Sequence, residues 1–177
     1  GALSASDPEG QPVSFALAGN PGGRFAVDGT DLVVDGPLDF ETLGAQTVTV
    51  EASDGAGNTA SAEFAIGITD VNEAPAAPAL SGTSVAENVA PGTVVGRLSS
   101  VDEDGDPVAF ALTDDAGGLF ALNGADVVVD GPIDFETAES HAITATASDG
   151  ALDSAATFTI AVEDLDDATD GPDTLIG

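Results

Sequence analysis

Val33-Val34-Asp35-Gly36-Pro37-Leu38-Asp39-Phe40-Glu41-Thr42 returns as Val128-Val129-Asp130-Gly131-Pro132-Ile133-Asp134-Phe135-Glu136-Thr137, changed only where Ile133 stands for Leu38. The match extends on both sides. Pro12-Val13-Ser14-Phe15-Ala16-Leu17 returns as Pro107-Val108-Ala109-Phe110-Ala111-Leu112, and Ala52-Ser53-Asp54-Gly55 as Ala147-Ser148-Asp149-Gly150. The period is about 95 residues, too long for a solenoid unit and right for a small all-β domain. All eight Phe fall in matched places: Phe15, Phe25, Phe40 and Phe64 pair with Phe110, Phe120, Phe135 and Phe158. Rings shared in this way are expected to be core.

Within each copy the local signals are strands and turns. Residues 46–52 and 141–148 alternate small polar with apolar residues, as half-buried strands do, and so do 59–69 and 154–163. Asp28-Gly29 and Asn123-Gly124 sit between apolar runs and predict hairpins. Gly22-Gly23 and Gly117-Gly118 punctuate likewise, and no stretch keeps a helical period. Short strands separated by turn residues predict two antiparallel Greek-key β-sandwiches of immunoglobulin-like type. The copies differ in extent. Gly1-Ala2-Leu3-Ser4 matches Gly96-Arg97-Leu98-Ser99, so Leu80 to Val95, expected to form the first strand of the second copy, has no counterpart upstream. The first sandwich should lack its N-terminal strand and expose an unpaired edge. The expected domains are 1–73, 74–167 and a Gly/Asp-rich tail over 168–177.

Composition narrows the function. Asp and Glu number 32 against two basic residues, Arg24 and Arg97, for a formal net charge of −30 over 177 residues. Hydrophobic residues still make up 42% and mean hydropathy is +0.18, which supports packed cores rather than a disordered acidic tail. Nucleic acid is excluded as a partner, because phosphate backbones need Lys or Arg to replace their counterions. No apolar run approaches the roughly 20 residues of a membrane span, so membrane insertion is not expected. Cysteine is absent, so there is no disulfide framework. Met is absent too, which reads as a piece of a longer polypeptide.

Most carboxylates on so acidic a chain are solvated surface. Six clusters stand apart because they fall at the expected domain ends: Asp39-x-Glu41, Asp70-x-Asn72-Glu73, Asp102-x-Asp104, Asp134-x-Glu136, Asp149 and Asp164-x-Asp166-Asp167. Two carboxylates within about 4 Å repel by roughly 4 kcal/mol at an effective dielectric near 20. There is no Lys to neutralise them, so convergence requires a cation. Oxygen-only ligands suit calcium, which takes 6–8 oxygens in flexible geometry. Zinc would want His or Cys, and the chain has one His and no Cys. The stretch Asp70-Val71-Asn72-Glu73-Ala74-Pro75 between the copies is too polar for core, and Pro75 and Pro78 argue against a flexible tether.

These clusters resemble the motifs of the cadherin family. Ala86-Glu87-Asn88 is similar to its Glu-Asn motif, Asp102-Glu103-Asp104 to Asp-x-Asp, and Ile133-Asp134-Phe135-Glu136 to Leu-Asp-Arg-Glu. Ala147-Ser148-Asp149 is similar to Ala-x-Asp. Asp70-Val71-Asn72-Glu73-Ala74-Pro75 resembles the Asp-x-Asn-Asp-Asn linker in the form found in bacterial cadherin-like arrays. The resemblance implies Ca2+ at the joint between repeats. Its ligands would be Asp39 and Glu41 from the first repeat and Asp70, Asn72 and Glu73 from the linker, with backbone oxygens of Val71 and Ala74. Asp102, Asp104 and Asp149 would come from the second repeat. Phe40 and Phe135 replace the motif Arg, Ala74 an Asn that uses its main-chain oxygen, and Glu73 an Asp. The first copy has no counterpart of Glu87, so the ions nearest the first repeat should be weakened, while the ion held by Asn72, Ala74, Asp102, Asp104 and Asp149 keeps its ligands. Glu87, Asp134, Glu136, Asp164, Asp166 and Asp167 would form an equivalent half-site lower down. Gly171-Pro172-Asp173-Thr174-Leu175-Ile176-Gly177 resembles the opening of the glycine-aspartate repeats of secreted bacterial RTX proteins.

The implied function is an extracellular, calcium-rigidified spacer or adhesion module, on the cell surface or secreted, that engages neighbouring repeats of its own polypeptide, like chains or surface glycans. A carbohydrate-binding module is the alternative, set back by the absence of Trp and Tyr and by Phe expected to be buried. An enzyme is not expected: Cys and Lys are absent and no Ser stands in a nucleophile context. His141 should be an ordinary exposed strand residue.

Overall fold

A computed structural model describes residues 1–165. The chain divides into two compact units between Val71 and Asn72.

In the first unit, β1 (Ser14–Gly19), β4 (Gln46–Ser53) and β5 (Thr59–Ile66) form an antiparallel sheet in the order β1-β4-β5. The other layer is the hairpin of β2 (Phe25–Asp28) and β3 (Asp31–Val34). Gly1 to Leu3 runs along β3, with an isolated bridge between Ala2 and Asp31. Val48, Val50 and Phe25 are its buried apolar side chains. Residues 40–43 make a single α-helical turn, α1 (Phe40–Leu43), capped by Asp39, whose carboxylate accepts from Thr42 N at 2.9 Å. Four residues are too few to show a helical period, which is why the sequence gives no sign of it.

The second unit is the fuller sandwich. One sheet runs β10 (Phe120–Asn123), β11 (Asp126–Val129), β8 (Val94–Ser99), β6 (Ala79–Leu80). The other runs β7 (Ser84–Ala86), β13 (Asp153–Glu163), β12 (Ser140–Ser148), β9 (Ala109–Asp114). Alternation along β12 puts Ile143, Ala145 and Ala147 inside at 0% exposure, as a strand of period two requires. Ile143 and Ala145 meet Leu98, Phe120, Val127, Val129, Ile133 and Ile160 in one core. Each large apolar side chain fully buried there contributes roughly 1.5–3 kcal/mol.

Three expectations need correction. The first strand of the second copy is two strands, β6 antiparallel to β8 in one sheet and β7 parallel to β13 in the other. The crossing between them presses Gly82 against β8: a Cβ on Gly82 would lie 2.4 Å from the Val95 carbonyl oxygen, and one on Gly96 would lie 2.6 Å from Gly82 N. Only glycines fit so close a backbone approach. The Phe are not uniformly core either. Phe25 and Phe120 are buried, but Phe40 and Phe64 are exposed to about 40%, whereas their counterparts Phe135 and Phe158 are half-buried against the core of the second unit. His141 is half-buried rather than exposed, its ring edge-on to Phe120 with centroids 6.1 Å apart. The two hairpins form where Asp28-Gly29 and Asn123-Gly124 place them, with Gly29 (φ 61°) and Gly124 (φ 65°) opening two-residue turns.

Candidate metal centre

A polar cluster lies at the head of the second unit, on loops at the strand ends: Glu73 and Asp104 bring one carboxylate oxygen each within 4.8 Å, while Asp102 and Asp149 stand outside that group. Asp102 opens an Asx turn: its Oδ1 accepts from Asp104 N at 3.0 Å and from Asp106 N at 3.4 Å. The same fold of chain aims the second oxygen of Asp102 inward. Asp104 Oδ2 accepts from the backbone N of Glu73 at 3.0 Å. Asp149, in the turn between β12 and β13, accepts on Oδ1 from Ala151 N and Leu152 N at 2.6 and 2.7 Å, and on Oδ2 from Asn72 Nδ2 at 2.8 Å. Asn72 Nδ2 also donates to Glu73 O at 3.1 Å. The start of the linker is thus bound to this head. Pro75 and Pro78 are buried in the second unit, and Ala76 N donates to Val101 O at 2.9 Å. The segment is anchored rather than a tether.

Two oxygens of this cluster are left over. Asp102 Oδ2 and Asp104 Oδ1 are shut away from solvent and have no hydrogen-bond partner. A carboxylate oxygen removed from water without a donor is costly. Neither arginine relieves it. Arg97 pairs with Asp126 at 3.0 Å, and Arg24 donates to Pro37 O at 3.3 Å. The donor set is carboxylate and amide oxygen, the chemistry of a hard divalent cation.

Asp149 is held below the ordinary aspartate pKa, first by the Leu152 and Ala151 backbone donors and then by Asn72. The same donors favour its ionised form. Asn72 enters as a donor. To serve as an oxygen ligand its amide must turn over, since only the carbonyl end accepts.

A second acidic group lies lower in the same unit. Glu87, Asp134 and Glu136 each place a carboxylate oxygen within 4.8 Å of the others. Glu87 is 1% exposed, with Oε2 accepting from Phe135 N at 3.1 Å and Oε1 from Leu165 N at 2.8 Å. Both its oxygens meet backbone donors, so this buried acid also ties the β7 region to the loop after β11 and to the chain end of β13. Asp134 is engaged by the Thr137 hydroxyl at 2.7 Å, which holds its pKa down. Asp164 is exposed and stands outside this group. Asp166, Asp167 and the tail 168–177 lie outside the described residues.

In the first unit, Glu41 and Asp70 bring one carboxylate oxygen each within 4.8 Å. Asp39 is occupied as the cap of α1, and the Thr42 backbone donor lowers its pKa. Sequence reasoning passed over the head of this unit. Asp7 Oδ1 accepts from Glu9 N and Gln11 N at 2.9 and 3.0 Å, the turn that Asp102 makes. Asp54, only 8% exposed, accepts on Oδ1 from Ala56 N and Asn58 N and on Oδ2 from Asn58 Nδ2 at 2.6 Å. These contacts lower its pKa, the Asn58 side chain first. The Asp54-Gly55 and Asp149-Gly150 match carried this signal. What it could not show is that Asn58 makes, within the turn, the contact that Asn72 makes from the linker.

No family model matches the chain. Over 94% of its length it is 30% identical to Cadherin-related family member 1 of Xenopus laevis, and over 93% it is 34% identical to human Protocadherin-16. It spans only 22% and 6% of those two proteins. Human Protocadherin-24 EC1-2 matches in fold with a TM-score of 0.66 at 22% identity, over 93% of this chain and 88% of that one. Neither an enzyme nor a carbohydrate-binding module is among these relatives. No helix among the described residues is long and apolar enough to cross a membrane. The chain is homologous to cadherin repeats along nearly its whole length.

Proposed function

We propose that this chain is a calcium-binding pair of extracellular repeats that serves as a spacer or adhesion module of a larger surface or secreted protein, of the kind found in bacterial cadherin-like arrays. The observation that carries this reading is the pair of buried, partnerless oxygens, Asp102 Oδ2 and Asp104 Oδ1. A cation among Asp102, Asp104, Asp149 and the oxygen of Asn72 gives both of these oxygens a partner. Glu73 and Asp70 add charge to the linker, and Ala74 adds a backbone oxygen. Because Asn72 and Glu73 directly continue the chain from Asp70 and Val71, an ion at this head restrains the linker itself. Calcium thereby stiffens the succession of repeats. Glu87, Asp134 and Glu136 form the corresponding foot of the second repeat, with Asp164, Asp166 and Asp167 as its linker carboxylates. Asp39 and Glu41 form the foot of the first.

Extracellular modules bind calcium at roughly 10⁻⁴–10⁻³ M, which confines stiffening to the outside of the cell. Adhesion between like chains is the associated partner reading, and the tail from Gly171 onward is read as the start of an RTX-like calcium-binding block. Calorimetric calcium titration of the chain beside an Asp102→Ala, Asp104→Ala variant tests the assignment. The variant should lose the tightest site; equal binding by the two proteins would refute it.

A further inference from the structure

The heads of the two units carry matched acids but satisfy them by different means. Asp7 stands where Asp102 stands, Glu9 where Asp104 stands, and Asp54 where Asp149 stands. The match implies for the first head the same ion that is proposed for the second. The residues of the first head do not fit it.

The difference begins in a turn. Residues 54–58 lead from β4 into β5 at Thr59, whereas the shorter 149–152 leads from β12 into β13 at Asp153. In both turns the aspartate N–H donates to the carbonyl of the last turn residue, Asp54 N to Asn58 O and Asp149 N to Leu152 O, each at 3.3 Å. Asn58 and Leu152 thus hold one place, and only Asn58 brings a side-chain amide to it. Asn58 N donates to Asp54 Oδ1 at 3.1 Å and Asn58 Nδ2 to Asp54 Oδ2 at 2.6 Å, with Ala56 N a further donor to Oδ1 at 2.8 Å. Asp149 has to take the corresponding amide from Asn72, outside its own turn. Asp54 is left 8% exposed, while Asp149 is half-buried.

The rest of the first head has little to offer a cation. Its cleft, about 190 Å³, is lined by two acids, Asp7 and Asp54, and Glu9 is exposed outside it. Calcium takes 6–8 oxygens. Among the described residues the buried side-chain oxygens without a partner are Asp102 Oδ2 and Asp104 Oδ1, both at the second head. An ion there displaces the Asn72 contact but supplies two stranded oxygens. An ion at the first head would displace a shorter contact and uncover a buried carboxylate, with no stranded oxygen to offset the loss.

We infer that Asn58 closes the first head to calcium: its amide does there what the ion does at the second head, so this end of the first repeat is held together without metal. The inference stands on hydrogen bonds within one turn and does not depend on whether the second head binds calcium.

Carboxyl carbon NMR of Asp7 and Asp54 through a calcium chloride titration of the whole chain tests it. The companion variant is Asn58→Leu, which installs the residue the second unit carries at this place; Asn58→Ala serves if that chain does not fold. In the unsubstituted chain neither signal should saturate up to about 10⁻² M, tenfold above the usual range of extracellular modules. In the variant Asp54 should gain a saturating response, as calcium replaces the lost amide. Saturation at Asp54 in the unsubstituted chain at roughly 10⁻⁴–10⁻³ M would overturn the inference. So would a folded variant whose Asp54 stays unresponsive, since Asn58 would then not be what keeps the ion out.

Discussion

Asn72 donates its side-chain amide to Asp149 Oδ2 at 2.8 Å, joining residues 77 apart in sequence and fastening the first residues of the linker to the turn between β12 and β13. The contact does without an ion what the proposed calcium does with one, because it places a positive end against an acidic head. Asn72→Ala should therefore have two separable effects. Calcium affinity should fall several-fold through the lost oxygen, and in EDTA the second unit should lose about 1 kcal/mol, the usual net worth of a hydrogen bond. Calcium titration and urea unfolding in EDTA read these separately.

Glu87 gives a prediction that calcium does not control. Its two oxygens satisfy Phe135 N and Leu165 N inside the second unit. Glu87→Ala strands both donors, at roughly 1–3 kcal/mol each, and should lower the melting temperature of that unit in EDTA as well as in calcium. Glu87→Gln keeps one acceptor and should cost less. If the loss appeared only with calcium present, Glu87 would be a ligand without a structural role.

Gly82 and Gly96 predict a steric failure. Gly82→Ala puts a methyl 2.4 Å from the Val95 carbonyl oxygen, with backbone on both sides and no flexible side chain to move. The crossing from β6 to β7 must open, at about 1–3 kcal/mol, and amide exchange at Ala161 to Glu163 should speed up as β7 detaches. Gly124→Ala is a different case: open space surrounds it, and its cost is the left-handed backbone at φ 65°.

Acid should weaken both units through hydrogen-bonded aspartates. The folded pKa of Asp54 is lowered chiefly by the Asn58 side chain, and that of Asp149 chiefly by the Leu152 and Ala151 amides. A folded value below the unfolded one gives stability that is fully present above the ordinary aspartate pKa, about 3.9, and is lost as pH falls through the folded value. Melting in EDTA should be flat from pH 7 to about 5 and decline below that. Asp54→Asn should flatten the acid limb of the first unit. An unchanged limb would show that other carboxylates carry it.

Much of this architecture was legible because the chain states it twice. The ten residues from Val33 and their copy from Val128 establish the repeat, and Asp28-Gly29 and Asn123-Gly124 place two hairpins where they form. The unequal burial of matched rings, Phe40 and Phe64 against Phe135 and Phe158, was not legible, because matched residues imply matched burial only when both copies are equally covered. The break at Gly82 in the first strand of the second copy was hidden as well, since a sheet change depends on which backbone lies opposite. Asp102, Asp104 and Asp149 could be picked out by motif. That two of their oxygens would be buried and partnerless needed the fold of the Asx turn and of the linker over it.

The central claim is an ion at the head of the second unit, and carboxyl carbon NMR of Asp102, Asp104 and Asp149, with the Asn72 side-chain amide, tests it most directly through a calcium titration. The account predicts that these four signals move together and saturate with one dissociation constant near 10⁻⁴–10⁻³ M, the Asn72 amide signalling its turn from donor to ligand. Signals at Asp102 and Asp104 that drift linearly without saturating, as those of exposed surface carboxylates do, would contradict it.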